Sequence, residues 1–112
     1  MPGAPDRQEA DMATFVVLGS WTAEGAKAYA DAPARTKANA EAAAAMGGRI
    51  VATYWTLGKY DFVSIIEAPS DEAMTSGLLV AAARGFARSV TMRAFTMDEF
   101  EGIVTQAEAA GS

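Results

Sequence analysis

The chain of 112 residues contains neither cysteine nor histidine. Without cysteine it has no disulfide, no thiolate nucleophile and no thiolate ligand for zinc or an iron–sulfur cluster. Without histidine it lacks the commonest general base, the commonest metal ligand and the usual proximal haem ligand. The carboxylates show no metal-ligand spacing, so we expect neither a metal nor a cofactor. An enzyme becomes a weaker hypothesis, although carboxylates and tyrosines can also transfer protons.

Positive charge is scarce as well. Nine lysines and arginines stand against fourteen acids, which gives a net charge of −5 and a pI of about 4.6. An acidic surface repels phosphate backbones, so we expect no nucleic-acid partner. The sequence has neither an apolar run long enough to cross a bilayer nor the pattern of a signal peptide. We therefore expect no membrane association and a cytoplasmic location.

The remaining composition is that of a globular domain, because 51% of the residues are hydrophobic and 21% are charged. A chain of this length forms one domain. Residues 1–11 are polar and contain two prolines, which predicts a disordered leader. We expect the domain to occupy residues 12–108 and residues 109–112 to form a flexible tail.

Alternating and helical patterns predict the order strand, helix, strand, strand, helix, strand, helix. This order is typical of the ferredoxin-like βαββαβ fold with a four-stranded antiparallel sheet, here followed by an extra C-terminal helix. The predicted strands are 13–21, 49–57, 60–67 and 88–95; the predicted helices are 22–31 and 33–46 on either side of a break at Pro33, one from the Ser70 cap to Gly85, and one after a Thr96/Glu99 capping box.

The central feature of the pattern is a hairpin from Tyr54 to Glu67, with a tight turn predicted at Gly58-Lys59. Its strands carry apolar side chains on both faces, whereas the helices of this fold cover only one. Exposing six such side chains would forfeit roughly 9–18 kcal/mol of burial. We therefore expect a homodimer, or a higher homo-oligomer, in which two sheets stack face to face. The alternative is a monomer whose last helix folds over the open face.

Strand alternation also assigns side chains to faces. On the second strand, the pattern places one set on one side and a second set on the other. The first set is Val51, Thr53, Trp55 and Leu57; the second is Ile50, Ala52 and Tyr54.

The hairpin resembles the signature of the GYD-domain family. The matching residues are Gly58, Tyr60 and Asp61, which follow Tyr54-Trp55-Thr56-Leu57 and precede Phe62-Val63. The resemblance covers about residues 12–104. It implies a dimeric α/β barrel of the ferredoxin-like superfamily, and it implies no particular activity, because the family has no general assigned function or catalytic residues.

Asp61 is the candidate catalytic residue. It could be a base at a pocket mouth, or it could accept backbone N–H groups and fix the hairpin.

The candidate ligand-binding residues are mostly aromatic. Tyr54, Trp55 and Tyr60 could line an apolar pocket and donate a hydrogen bond to a ligand, or they could pack in the core or the dimer interface. A pocket between the sheet and the helices would also include Phe15 and Phe62.

Arg93 is the candidate cation, which could bind a carboxylate ligand or pair with an acid such as Glu67 across the sheet. Three functions remain open. The first is a small-molecule-binding or accessory module with a small apolar or aromatic ligand. The second is a cofactor-independent enzyme, such as an isomerase, cyclase or oxygenase. The third is a structural oligomer.

Overall fold

The structure, a computed structural model, describes residues 12–111 and has an α+β fold. The predicted leader at 1–11 and the last residue, Ser112, lie outside the described residues. The strands are β1 (Ala13–Trp21), β2 (Arg49–Trp55), β3 (Phe62–Ala68) and β4 (Ala87–Ala94). The helices are α1 (Ala23–Lys27), a short 3-10 helix (Tyr29–Asp31), α2 (Ala32–Ala45), α3 (Asp71–Arg84) and α4 (Met97–Gly111).

The sheet confirms the predicted ferredoxin-like arrangement. Its strand order is β2-β3-β1-β4, and every neighbouring pair is antiparallel. The strand β1 is central, with β3 on one side and β4 on the other. No described helix combines the length and apolarity needed to span a membrane.

The helix ends follow the sequence signals. The hydroxyls of Thr22 and Ser70 each accept a backbone N–H in the first turn of the helix they precede, at 3.1 and 3.0 Å. Pro33 lies in the first turn of α2, where its missing N–H costs nothing. Beyond α2 and α3, Gly47 and Gly85 have φ angles of 80° and 78°, a conformation that favours glycine.

The predicted tight turn at Gly58-Lys59 is wrong. The strand β2 ends at Trp55 and β3 begins only at Phe62, so six residues connect them. Thr56 holds this loop closed: its N–H donates to the Asp61 carbonyl at 2.9 Å, and its hydroxyl donates to the Tyr60 carbonyl at 2.7 Å.

A bulge in β2 corrects the predicted assignment of faces. Ile50 pairs with Ile66, but Ala52 pairs with Ile65, so Val51 is an extra residue without a partner on β3. The bulge moves Ile50 to the helix-covered side, where Thr53 and Trp55 also lie.

The buried core lies between the sheet and α3. Phe15, Val17, Ala68 and Met74 form its cluster, with Leu78 packed against them. Residues that alternate with Phe15 and Val17 along β1, together with their partners on the neighbouring strands, lie on the other side of the sheet. We call this side the open face. Its apolar residues are Val16, Leu18, Ala52, Tyr54, Val63, Ile65, Val90 and Met92.

Helix α4 does not cover the open face in this structure. None of its residues is buried, and Met97 and Phe100 are 74% and 54% exposed. The radius of gyration is 16.3 Å, whereas about 13 Å is typical of a compact domain of 100 residues. Within residues 12–111, the open face and the α4 stripe (Met97, Phe100, Ile103, Val104 and Ala107) are therefore apolar surfaces that no other element covers.

Candidate functional site

A cleft of about 800 Å³ lies between the helix-covered side of the sheet and helices α2 and α3. Ligand pockets of small molecules usually have volumes of about 300–1,000 Å³. We call it the helix-side cleft; its lining includes Val17, Thr53, Trp55, Phe62, Ser64 and Met74.

The composition of α2 explains why this space is not filled. Eight of its fourteen residues are alanine, and alanine carries a single carbon beyond the backbone. Alanine favours the helix but cannot reach the sheet across a wide gap. On α3, Gly77 lies at the cleft and contributes no side chain, and a Cβ there would meet no atom within 4 Å.

The floor of the cleft combines apolar rings with a pair of hydroxyls. Trp55 and Phe62 are paired neighbours on β2 and β3. Beside them the Thr53 and Ser64 hydroxyls are 2.9 Å apart and hydrogen-bonded to each other, and Ser64 is buried. An apolar ligand could pack on the rings and direct one polar group towards the hydroxyls.

Two arginines on the helices also line the cleft. The Arg35 guanidinium lies 4.5 Å from the centre of the Phe86 ring, and its Nη1 donates to the Ala28 carbonyl at 3.0 Å. Arg84 on α3 donates from Nη1 to Oδ1 of Asn39 on α2 at 2.8 Å, which links the two helices.

The predicted ligand-binding aromatics separate into different places. Trp55 and Phe62 line the cleft, while Phe15 is buried in the core and does not line it. Tyr54 lies on the open face and is 61% exposed. Tyr60 lies in the loop, with its ring centre 5.6 Å from the Lys59 ammonium.

Asp61 lies outside the helix-side cleft and is engaged with the end of β1. Its Oδ2 accepts the Trp21 N–H at 2.8 Å, and its own N–H donates to the Gly19 carbonyl at 2.7 Å. These bonds match the structural alternative of an aspartate that fixes the hairpin, with the accepted N–H coming from β1 rather than from the turn.

Arg93 also lies outside the cleft, near the end of β4 and beside the first turn of α4. Its guanidinium is 4.6 Å from the Phe95 ring centre, and its Nη2 is 3.8 Å from the Glu99 carboxylate. The acid beside Arg93 is therefore Glu99, whereas Glu67, which was the example for the predicted pairing, binds Arg49 at 2.7 Å.

The enzyme hypothesis predicted Asp61 or Arg93 inside the pocket, and neither lines the cleft. Among residues 12–111 no cluster of three or more acids could hold a metal ion.

The sequence reasoning did not single out Arg35, Arg84, Thr53 or Ser64. A signal existed for the hydroxyls: Thr53 alternates with Trp55, and Ser64 alternates with Phe62, so each shares a face with a candidate aromatic residue. No local pattern places Arg35 and Arg84 at one cleft, because they lie on helices far apart in the sequence.

The fold and the hairpin define a class of protein, a ferredoxin-like α+β domain with a Gly-x-Tyr-Asp loop between its second and third strands. The family model described as "GYD domain" matches residues 15–104. The chain therefore belongs to the GYD domain family.

One similar curated protein comes from Thermus thermophilus and is called "Glutamine synthetase and cystathionine beta-lyase binding protein". It is 38% identical over 84 residues, which cover 74% of this chain and 88% of the relative. A search of the solved structures found no significant match.

Proposed function

We propose that this chain is an accessory module that acts in the cytoplasm as a homodimer and binds another protein, an enzyme of the kind named for its relative. The observation that carries this proposal is the similarity to a binding protein along most of both chains. The distribution of apolar surface supports it, because large uncovered apolar patches are typical of interaction sites.

We assign the open face to the second copy of the chain. Its eight apolar residues extend over all four strands, and Tyr54, Val90 and Met92 are about half exposed or more. A two-fold axis places the same patch on both subunits, and stacked sheets interdigitate their inner side chains about 10 Å apart. A face of this kind therefore suits self-association.

We assign the α4 stripe to the partner enzyme. A single amphipathic helix with apolar residues at i, i+3, i+4 and i+7 suits a groove in another protein. The stripe begins at Met97 and Phe100, which are among its exposed residues, and the capping box of Thr96 and Glu99 fixes the start of the helix.

The test is binding of the purified chain to purified glutamine synthetase and cystathionine β-lyase, measured by surface plasmon resonance. We expect at least one of them to bind. The variant Phe100→Asp should lose this binding and remain dimeric, while the control Ala109→Asp, which adds the same charge on the opposite side of α4, should bind normally. If neither enzyme binds, the proposal of an enzyme partner of this kind is wrong; if Phe100→Asp instead dissociates the dimer, the α4 stripe belongs to self-association.

The helix-side cleft favours a second function, the binding of a small molecule. Its volume suits an organic ligand, and its floor offers Trp55 and Phe62 beside the Thr53 and Ser64 hydroxyls. Binding of such a ligand could be a function independent of the partner enzyme, or the ligand could control the binding of that enzyme. Isothermal titration calorimetry with small apolar compounds tests this function independently of any protein partner.

A further inference from the structure

The charge of the helix-side cleft is opposite to the charge of the chain. The whole chain carries −5. Among the described residues, Arg35 and Arg84 line the cleft from the helices. Arg88 and Glu67 also border it, but their pairing with Ser20 and Thr14 on β1 places their side chains on the side of the open face. The Glu67 carboxylate is already bound by Arg49 at 2.7 Å. The lining of the cleft is thus a cationic region on an acidic molecule.

The two arginines on the helices keep unused hydrogen-bonding capacity. Arg35 donates to the Ala28 carbonyl and Arg84 to the Asn39 side chain, and both of these acceptors are uncharged. Within residues 12–111 neither guanidinium has an acidic partner within 4.0 Å. A guanidinium has five N–H donors in a planar fork that matches a carboxylate.

We propose that the cleft binds a free organic anion with an apolar body, such as a carboxylic acid with an aliphatic or aromatic tail. This inference rests on the small-molecule function proposed above and adds the class of ligand. The apolar body packs on Trp55 and Phe62, and the anionic group meets the arginines. Charge-assisted hydrogen bonds to a carboxylate are stronger than neutral ones, so the anionic group determines which apolar molecules bind.

Three probes with the same ten-carbon chain separate the contribution of charge from that of apolar packing. They are decanoate, decanol and decyltrimethylammonium, each titrated into the full chain by calorimetry. The two ions are kept below their micelle concentrations and decanol below its solubility limit. We expect decanoate to bind at one site per chain, decanol to bind about tenfold more weakly and the cation to bind more weakly still. A tenfold difference corresponds to about 1.4 kcal/mol.

The variant Arg84→Gln tests the charge directly. Glutamine keeps an N–H donor for the Asn39 side chain, so the link between α2 and α3 can persist. We expect decanoate affinity to fall about tenfold and decanol affinity to stay unchanged. The control Lys59→Gln removes the same charge from the β2–β3 loop, outside the cleft lining, and should change neither affinity.

Blocking the cleft tests the location. Gly77 lines the cleft on α3 with open space around it. The variant Gly77→Phe should fill this space, abolish decanoate binding and leave the helical circular dichroism intact. The control Gly77→Ala adds one methyl group, favours the helix and should bind like the wild type.

The outcomes separate the two levels of the proposal. If all three probes bind equally and Arg84→Gln has no effect, the anion inference is wrong, but a small-molecule site remains. If no probe binds, or if Gly77→Phe binds decanoate as well as Gly77→Ala does, the small-molecule function of this cleft is wrong as well. The proposal of a partner enzyme, which is tested separately, stands or falls independently of either result.

Discussion

At the scale of single residues, the Gly-x-Tyr-Asp sequence has a structural reason. Gly58 has a φ angle of 108°, which favours glycine. Asp61 connects the end of the loop to β1 by two hydrogen bonds: its carboxylate accepts the Trp21 N–H, and its own N–H donates to the Gly19 carbonyl. A Cβ on Gly19 would overlap the ring of Phe62, so the close approach of ring and backbone also needs a glycine there.

The first prediction concerns Asp61. The variant Asp61→Ala leaves the Trp21 N–H without its carboxylate partner and should lower the free energy of unfolding by roughly 1–3 kcal/mol. Asp61→Asn keeps an oxygen acceptor and should cost less. Urea denaturation of both variants measures the difference, with Lys59→Ala in the same loop as the control. An unchanged stability in Asp61→Ala would contradict the structural role of the carboxylate.

At the scale of elements, the sequence predicted types and order better than connections. Caps and breaks at Thr22, Pro33, Ser70 and Gly85 are local signals, and each one marks a helix boundary in the structure. The bulge at Val51 depends on how β2 pairs with β3, which no alternation along one strand reveals.

The length of the β2–β3 loop differs from the prediction for a related reason. A glycine followed by lysine suggested a two-residue turn, but the bonds that define the loop come from elsewhere. Thr56 donates hydrogen bonds to the Tyr60 and Asp61 carbonyls across the loop. Asp61 is also hydrogen-bonded to the backbone of β1. These contacts extend the connection to six residues, and only the folded chain brings the partners together.

The candidate site was predictable only in part. Trp55 and Phe62 were expected at a pocket because aromatic residues on a strand next to helices often line one, and the structure places both at the helix-side cleft. Tyr54 precedes Trp55 and points in the opposite direction by alternation, so it lies on the open face. Arg35 and Arg84 meet the cleft only through the packing of two separate helices.

The second prediction concerns the start of α4 at acidic pH. The Thr96 N–H that binds the Glu99 carboxylate at 2.8 Å lowers the pKa of Glu99, against the opposing effect of desolvation; the Thr96 hydroxyl and Arg93 lower it further. Because this pKa is lower in the folded than in the unfolded chain, the charged cap stabilises the fold at pH values above the ordinary range for glutamate. The stabilisation is lost as the pH falls through the lowered pKa.

Urea denaturation of the wild type and of Glu99→Gln between roughly pH 6 and pH 3 measures this effect. We expect the two proteins to differ most at the upper end of this range and to converge as the pH falls. The variant Glu101→Gln removes a charge from the same helix, two residues beyond the cap, and serves as the control. A constant difference between the wild type and Glu99→Gln across this range would show that the carboxylate charge plays no part in the cap.

At the scale of the whole molecule, the apolar surface of the described residues is distributed over three regions. The side of the sheet covered by α2 and α3 carries a small core and the helix-side cleft. The open face and the α4 stripe carry uncovered apolar side chains. The buried cluster holds only four side chains, and the proposed association with a second copy would bury more of this apolar surface.

The last prediction tests this association. The double variant Val90→Glu, Met92→Glu places two charges on the open face, on side chains that are about half exposed in the single chain and would be buried in the stacked dimer. Light scattering at micromolar concentration should show a dimer for the wild type and a monomer for the variant, because unpaired buried charges are costly. The control Leu57→Glu changes a fully exposed residue in the β2–β3 loop and should remain a dimer with wild-type stability. A wild type that is monomeric at this concentration would exclude the stacked dimer. A double variant that stays dimeric would show that the interface is not on the open face. The α4 stripe would then be the next surface to test, with the variant Phe100→Glu.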